Sequence, residues 1–417
     1  MSNILEIINS IKGKCPCGMC HGTSIEDIII ESGAVNRVGE ILRKNNFPEN
    51  ILLVADKNTL KAAEGILESL EGFNVIMKIY SFIRVAEMHH VEELEELIRD
   101  KDIAVLSVGT GSVNDPCRLA CARQNKKLCI FATAPSMDGF ASYSSPIVKD
   151  GFKESYSAKS PEVIIGDTKI LAAAPTELKS SGFGDMIAKY VGLADWRISH
   201  ILTGETYCER VASLTRTAVD ELMSMADKVC ADDEYTAGKI FEALLKTGTG
   251  MSFMQNSRPA SGSEHIIAHL IECKELPEGK LPNLHGEDVG VCTLEMLKLY
   301  NTLAAKEKIT AVKEEVNWVE VFDFYGKMSP QVAKMNFPYN ITYDVDTAVL
   351  EKKWEEIRQI IKSIPSYEEC KAAMVKAGCK ITVEDIEKSR ELFNNCVKFS
   401  PYMRRRLTLL RMIDMIK

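Results

Sequence analysis

The chain has 417 residues, 46% of them hydrophobic and 26% charged, with a formal net charge of −8. That length allows two domains with an ample core, and the acidic balance argues against a nucleic-acid-binding surface. No apolar run approaches the roughly 20 residues that span a bilayer, and the start Met1-Ser2-Asn3-Ile4-Leu5-Glu6 lacks the charged and apolar regions of a leader, so a cytoplasmic protein is expected.

Near the start lies Cys15-Pro16-Cys17-Gly18-Met19-Cys20-His21, four soft ligands in seven residues. They could bind zinc, but no second cysteine pair follows at a fixed spacing and Cys-x-Cys is tight for one tetrahedral ion. A reduced turn is the preferred reading. Other cysteines, including Cys117, Cys121, Cys129, Cys230 and Cys292, sit singly in apolar patterns and read as small buried hydrophobes in a reducing compartment.

Short β-rich runs then follow at Asp27–Ile30, Ile51–Ala55, Val75–Tyr80, Ala104–Val108, Leu128–Ala132 and Val163–Ile165. Helical patterns at Val35–Lys44, Leu60–Leu70 and Val91–Arg99 separate several of them. This alternation predicts a parallel sheet covered by helices, and the nearly continuous apolar runs suit strands buried on both faces. After about Pro175 helical periodicity takes over. It runs through Ser181–Arg197, Glu209–Ala226, Ala237–Gly248, Glu264–Glu272, Val289–Lys306, Trp318–Phe324, Thr347–Ile364, Val383–Cys396 and Tyr402–Ile416. The expected organisation is an α/β Rossmann-like unit over 1–175 and an all-α unit over 176–417, with the active site in the cleft between them.

Gly109-Thr110-Gly111-Ser112-Val113-Asn114-Asp115 follows an apolar strand and precedes a helix, where backbone N–H groups can approach a pyrophosphate. Asp115 suits the cap and Pro116 the first helical position. The third glycine of the dinucleotide fingerprint is missing, so an unliganded tight turn fits as well. Asp56 ends the strand Ile51–Ala55 and can either receive an adenosine ribose or cap the next helix. Thr133-Ala134-Pro135-Ser136-Met137-Asp138-Gly139 brings two hydroxyls and a carboxylate to another strand's carboxyl end; an ordinary polar turn is the alternative.

Three separated residues, Asp185, His265 and His285, supply one carboxylate and two imidazoles. Three protein ligands leave a divalent ion an open position, the arrangement of a catalytic site. Asp185 is read in the first turn of a helix opened by small residues. Ser261-x-x-Glu264 reads as a capping box, with His265 in the first turn and His269 one turn beyond on the same face. Arg258, in Ser257-Arg258-Pro259-Ala260, supplies a cation for an anionic substrate. His285 begins another helix. His21, His89, His90 and His200 lack such context, and a solvated surface suits His89 and His90.

With these motifs placed, the chain resembles the sn-glycerol-1-phosphate dehydrogenase family, within the iron-type alcohol dehydrogenase and dehydroquinate synthase-like superfamily. The resemblance runs from about residue 15 to the end. It is densest at Gly109–Asp115, Thr133–Ser142, Asp185, Ser257–His269 and His285–Gly290, and includes the tail Arg404-Arg405-Arg406-Leu407-Thr408-Leu409-Leu410-Arg411. It implies reduction of dihydroxyacetone phosphate to sn-glycerol 1-phosphate with NADH or NADPH, in a homodimer. By motif match Gly109, Gly111, Ser112, Val113, Asp115, Thr133, Ser136 and Ser142, with Asp56, would contact the dinucleotide. Asp138, Asp185, His269 and Arg258 would meet the phosphorylated substrate. Asp185, His265 and His285 would hold one divalent metal, usually zinc, with nickel or iron as alternatives, and His269 would handle the proton. Thr110, Pro135 and Met137 depart from the family's common glycine, alanine and histidine. A metal-dependent glycerol or polyol dehydrogenase, a dehydroquinate synthase-like cyclase and a non-catalytic nucleotide-binding protein are the competing readings.

Overall fold

The computed structural model describes residues 4–417. Its centre is a six-stranded parallel sheet of β1 (Asp27–Glu31), β2 (Asn50–Asp56), β3 (Asn74–Tyr80), β4 (Ala104–Gly109), β5 (Leu128–Ala132) and β6 (Val163–Asp167), in the order β1-β6-β5-β4-β2-β3. Side chains alternate between its faces. Leu52, Val54, Val105, Ile130 and Ile164 enter one apolar core, while Ile51, Leu53, Ala104, Leu106, Cys129 and Phe131 enter another. Both faces are therefore covered, which is why the strands read as unbroken apolar runs.

The helices that position the site are α1 (Gly111–Arg123), α2 (Thr176–Ile187), α3 (Lys189–Thr203), α4 (Glu209–Met223), α5 (Glu234–Met254), α6 (Ser263–Glu275) and α7 (His285–Ala304). A large third core gathers Phe183, Met186, Ile267, Ile271, Val289 and Leu297 with the C-terminal helices. Trp196, Phe241 and Leu245 from the helical half belong to the same core as Leu52 and Ile130 of the sheet, so an apolar layer joins the two halves. No helix among the described residues is long and apolar enough to cross a membrane.

Several expected boundaries shift. The segment 60–70 breaks at Gly65, whose φ of 93° needs the left-handed region, and forms Lys57–Ala62 and Ile66–Ser69. Ser181–Arg197 is two helices, α2 and α3, and a hairpin of Ser144–Lys149 with Phe152–Ser157 appears where no strands were expected. The amphipathic stretch 402–416 is not a helix. Only Ser400–Tyr402 and Ile413–Met415 make tight 3₁₀ turns, because buried side chains take the intervening backbone groups: Leu409 N–H donates to Asp195 at 2.8 Å and the Leu407 carbonyl accepts from Arg258 at 2.8 Å. Likewise, Val383–Cys396 becomes helical only from Arg390. Cys230 is exposed, against the buried reading, and His90 is half-buried rather than solvated.

Candidate active site

A cavity of about 1130 Å³ runs along the carboxyl ends of β2, β4, β5 and β6 and on between α2, α6 and α7. Open parallel sheets bind ligands at this edge. Asp56, Gly111, Ser112, Asp115, Thr133, Ser136, Asp138, Ser142, His265, His269 and His285 all line it.

At the sheet end, Thr110 caps α1 without a side-chain hydrogen bond. The first amides of the helix, at Gly111 and Ser112, have no intrahelical partner, both residues line the cavity, and the helix dipole favours an anion there. Asp56 serves one reading without giving up the other. Its Oδ1 accepts from the Asn58 and Thr59 amides, both at 2.8 Å, and the residue also lines the cavity.

Three assignments in this loop need correction. Val113 turns its side chain into the core, 2% exposed and beneath Gly109, and does not line the cavity. Gly109 does not line the cavity either: it packs against that side chain, where a Cβ would lie 3.0 Å from Val113. Asp115 does not cap the helix either. The helix has already begun at Gly111, Pro116 lies inside it, and Asp115 pairs with buried Arg118 at 2.6 Å. Burial pushes the Asp115 carboxyl up to about 6, against the pull of Arg118.

Deeper in, one ligand atom each from Asp185, His265 and His285 lies within 4.8 Å of the others. Asp185 sits in the last turn of α2, not the first turn of a helix. His265 is in the first turn of α6 and His285 is the first residue of α7. A pair of glycines draws α2 and α7 together: a Cβ on Gly286 would stand 1.8 Å from the Ser181 carbonyl oxygen, and one on Gly184 would stand 2.4 Å from that of Gly286.

The expected capping box at Ser261 is absent. Gly262 is the cap, and Glu264 turns inward, accepting from the Gly262 amide at 2.7 Å and from His265 Nδ1 at 2.7 Å. That carboxylate fixes the imidazole so that Nε2 points to Asp185 Oδ1, 3.4 Å away, an arrangement typical of metal-binding histidines. Burial, the first influence, pulls His265 down, but its bonds to Asp185 and Glu264 outweigh it and raise its pKa. Burial lowers His285 to about 3, so it is a neutral nitrogen donor at neutral pH. Asp185 is held well below the usual carboxylate range, because the Lys189 ammonium and the His265 hydrogen bond overcome its burial. An anionic oxygen, a neutral imidazole and an oriented imidazole fit a divalent ion.

His269 lies one turn past His265, and its ring stacks on His285 with centroids 5.6 Å apart. It falls outside the three-residue ligand cluster. Burial, reinforced by Lys153 and His285, keeps its pKa well below the ordinary value.

Lys189 was not anticipated as a site residue. Fully buried, its ammonium lies 2.6 Å from Asp185 and 2.7 Å from Asp138, and the Asp138 amide donates to Asp185 at 2.8 Å. The four-residue spacing from Asp185 was the available signal. Burial, then the Asp185 charge, raises the Asp138 pKa.

Arg258 is a correction. Its guanidinium is buried and committed to Glu205 at 2.8 Å, Ser199 at 3.1 Å and the Leu407 carbonyl, and it does not line the cavity. Lys153, from the unanticipated hairpin, does line it, paired with Glu272 at 2.6 Å.

The iron-containing alcohol dehydrogenase family model matches residues 29–175. The glycerol-1-phosphate dehydrogenase [NAD(P)+] of Halalkalibacterium halodurans is 28% identical over 98% of both chains. That of Bacillus velezensis is 34% identical over 68% of this chain and 74% of its own. The chain belongs to the glycerol-1-phosphate dehydrogenase family. It is an oxidoreductase of the dehydrogenase class. The fold of this family member is also that of the NADH-dependent butanol dehydrogenase A of Thermotoga maritima, at TM-score 0.62 and 15% identity over 96% of this chain and 93% of the other. The sulfoacetaldehyde reductase of Bifidobacterium kashiwanohense likewise aligns at TM-score 0.62 and 14% identity, over 95% of this chain and 96% of its own.

Proposed function

We propose that the protein interconverts dihydroxyacetone phosphate and sn-glycerol 1-phosphate, with NADH or NADPH as the reductant. The observation that carries this reading is one continuous cavity lined by Gly111 and Ser112, at the start of α1, and by His265 and His285, whose ligand atoms cluster with that of the buried Asp185 behind the wall. The reading divides the chain into a dinucleotide-binding part, 1–175, and a metal- and substrate-binding part, 176–417.

A divalent metal held by Asp185, His265 and His285 would polarise the substrate carbonyl and stabilise the developing alkoxide, while the reduced nicotinamide supplies the hydride. Zinc, nickel and iron all suit this donor set. The chain's own residues do the rest. Glu264 holds His265 in the tautomer that leaves Nε2 free. Lys189 pairs with both buried carboxylates, Asp138 and Asp185, and fixes Asp138 at the cavity wall, where its carboxylate can receive a substrate hydroxyl. His269, neutral at working pH, passes a proton from solvent to the product oxygen. Lys153 faces the same region and takes the phosphate in place of Arg258. Asp56 at the end of β2 would repel a 2′-phosphate, which favours NADH.

The test is NADH oxidation by metal-reconstituted protein with dihydroxyacetone phosphate, dihydroxyacetone and glyceraldehyde phosphate compared. Turnover should be fastest with dihydroxyacetone phosphate. Faster reaction with the unphosphorylated ketone, or of glycerol in reverse, would mark a polyol dehydrogenase, and the absence of net NADH consumption would mark a cyclase.

A further inference from the structure

The N-terminal cysteine motif closes a two-strand hairpin in which Gly13 pairs with His21 and Lys14 with Cys20. Its turn is held by Cys15 N–H to the Met19 carbonyl at 2.9 Å and Gly18 N–H to the Cys15 carbonyl at 3.0 Å, with Gly18 at φ 87°. Strand alternation sends Cys20 to solvent and buries His21. Against this turn stands Cys208, a buried residue immediately before α4 and nearly two hundred positions away in the chain. One ligand atom each from Cys15, Cys17, His21 and Cys208 lies within 4.8 Å of the others.

We propose that Cys15, Cys17, His21 and Cys208 form a structural zinc site, separate from the Asp185 cluster. Three of its ligand–ligand distances match tetrahedral edges. Zinc bound to sulfur at about 2.3 Å and nitrogen at about 2.0 Å requires S···S edges of about 3.8 Å and S···N edges of about 3.5 Å. The Cys15–Cys208 sulfurs are 3.7 Å apart, Cys17 Sγ is 3.5 Å from His21 Nε2, and Cys208 Sγ is 3.3 Å from the same nitrogen. A disulfide needs about 2.05 Å between sulfurs, so the 3.7 Å pair is a thiol contact, and its length matches a tetrahedral S···S edge.

A second, independent feature supports this. His21 Nδ1 lies 3.0 Å from the Phe253 carbonyl, to which its N–H donates. That bond leaves the Nε2 lone pair facing the sulfurs, the outer-shell support that metal-binding histidines use. Three thiolates and one imidazole close the coordination sphere and leave no position for water or substrate, so the role is structural. None of the four residues lines the active-site cavity. Soft thiolates select zinc, whereas the carboxylate and imidazoles of the deeper cluster accept several ions. The ion would tie the hairpin to the start of α4 and, through His21, to Phe253 near the end of α5. From there the chain runs directly through Ser257–Gly262 to His265, so the clasp would anchor the segment that carries a ligand of the other site.

The experiment uses the full-length His265→Ala protein, which disables the deeper cluster and isolates the new one. It should retain one zinc per chain by elemental analysis. Its cobalt-substituted form should show thiolate-to-cobalt charge-transfer absorption. Adding Cys17→Ser or Cys208→Ser should remove at least half of the zinc and weaken that band, while Cys20→Ser should change neither. If the serine variants do not fold, zinc-edge X-ray absorption of the parent decides, with three sulfur scatterers at about 2.3 Å expected. A parent that holds no zinc, a spectrum with only nitrogen and oxygen scatterers, or a band indifferent to Cys208→Ser would overturn the proposal. None of these readouts depends on which substrate the enzyme reduces.

Discussion

Gly286→Ala tests how the fold sets the distance between two candidate ligands. Gly286 lies in the first turn of α7 and its φ is not positive, so backbone conformation does not forbid a side chain there. Helix propensity alone favours alanine by at most about 1 kcal/mol. Packing opposes it. The new Cβ would sit 1.8 Å from the Ser181 oxygen and 2.9 Å from the Asp185 amide nitrogen, both of them backbone atoms. To reach even a strained 3.0 Å, α2 and α7 must separate by about 1.2 Å. Metal sites tolerate only about 0.2 Å in ligand distance, and a displacement of about 1 Å in an active site costs roughly 10²-fold. We therefore expect turnover to fall about 100-fold, metal occupancy to fall with it, and overpacking to cost about 1–3 kcal/mol. Gly290→Ala, on the same helix, is the control, since its nearest neighbour at 2.9 Å is only the mobile end of Met374. Metal content, steady-state kinetics and denaturant unfolding of both variants are the assays. Wild-type metal content and turnover in Gly286→Ala would refute the reasoning.

Three further outcomes follow from named contacts. Lys153→Ala removes the lining cation whose charge acts on His269 and should raise KM for dihydroxyacetone phosphate by roughly 10–100-fold, the worth of a charge-assisted contact, with a far smaller effect on dihydroxyacetone; equal effects on both would return the phosphate role to another lining cation, Arg84 or Lys169. Lys189→Met strips the shared partner from Asp138 and Asp185, and should destabilise the metal-free protein by about 3–5 kcal/mol in urea unfolding. Added zinc should restore part of that loss by supplying the missing positive charge. Burial, with the neighbouring His89, lowers His90 to about 4, and its Nδ1 accepts the Glu87 amide at 3.3 Å. The unfolded chain therefore binds this proton first, so the stability contribution is full above about pH 6.5 and is lost as pH falls toward 4. His90→Gln should flatten the fall in Tm between pH 6.5 and 5, and parallel curves for the two proteins would count against this.

The parallel sheet, the glycine turn between a strand and a helix, and the identity of the three residues whose ligand atoms converge were all legible in the amino-acid sequence. These are local signals. Alternation and apolar runs follow from burying both faces of a sheet, and a glycine turn before a helix carries its meaning in a few residues. The i, i+4 pairing of His265 and His269 is local as well. What the tertiary structure alone decided are relations between distant segments. Arg258 is a cation in the sequence, but Glu205 and the Leu407 carbonyl claim it, and both are far from it along the chain. Val113 shares a motif with Gly111 but faces the opposite way, because the helix had already begun. Glu264 looked like a cap and became the group that orients His265. The cysteine turn near the N-terminus lacked a fourth ligand at any readable spacing, and folding brings Cys208 to it. Spacing along a chain encodes contacts within a few residues; contacts across hundreds are fixed by how helices and sheet pack, as the approach of Gly184 to Gly286 fixes the distance between Asp185 and His285.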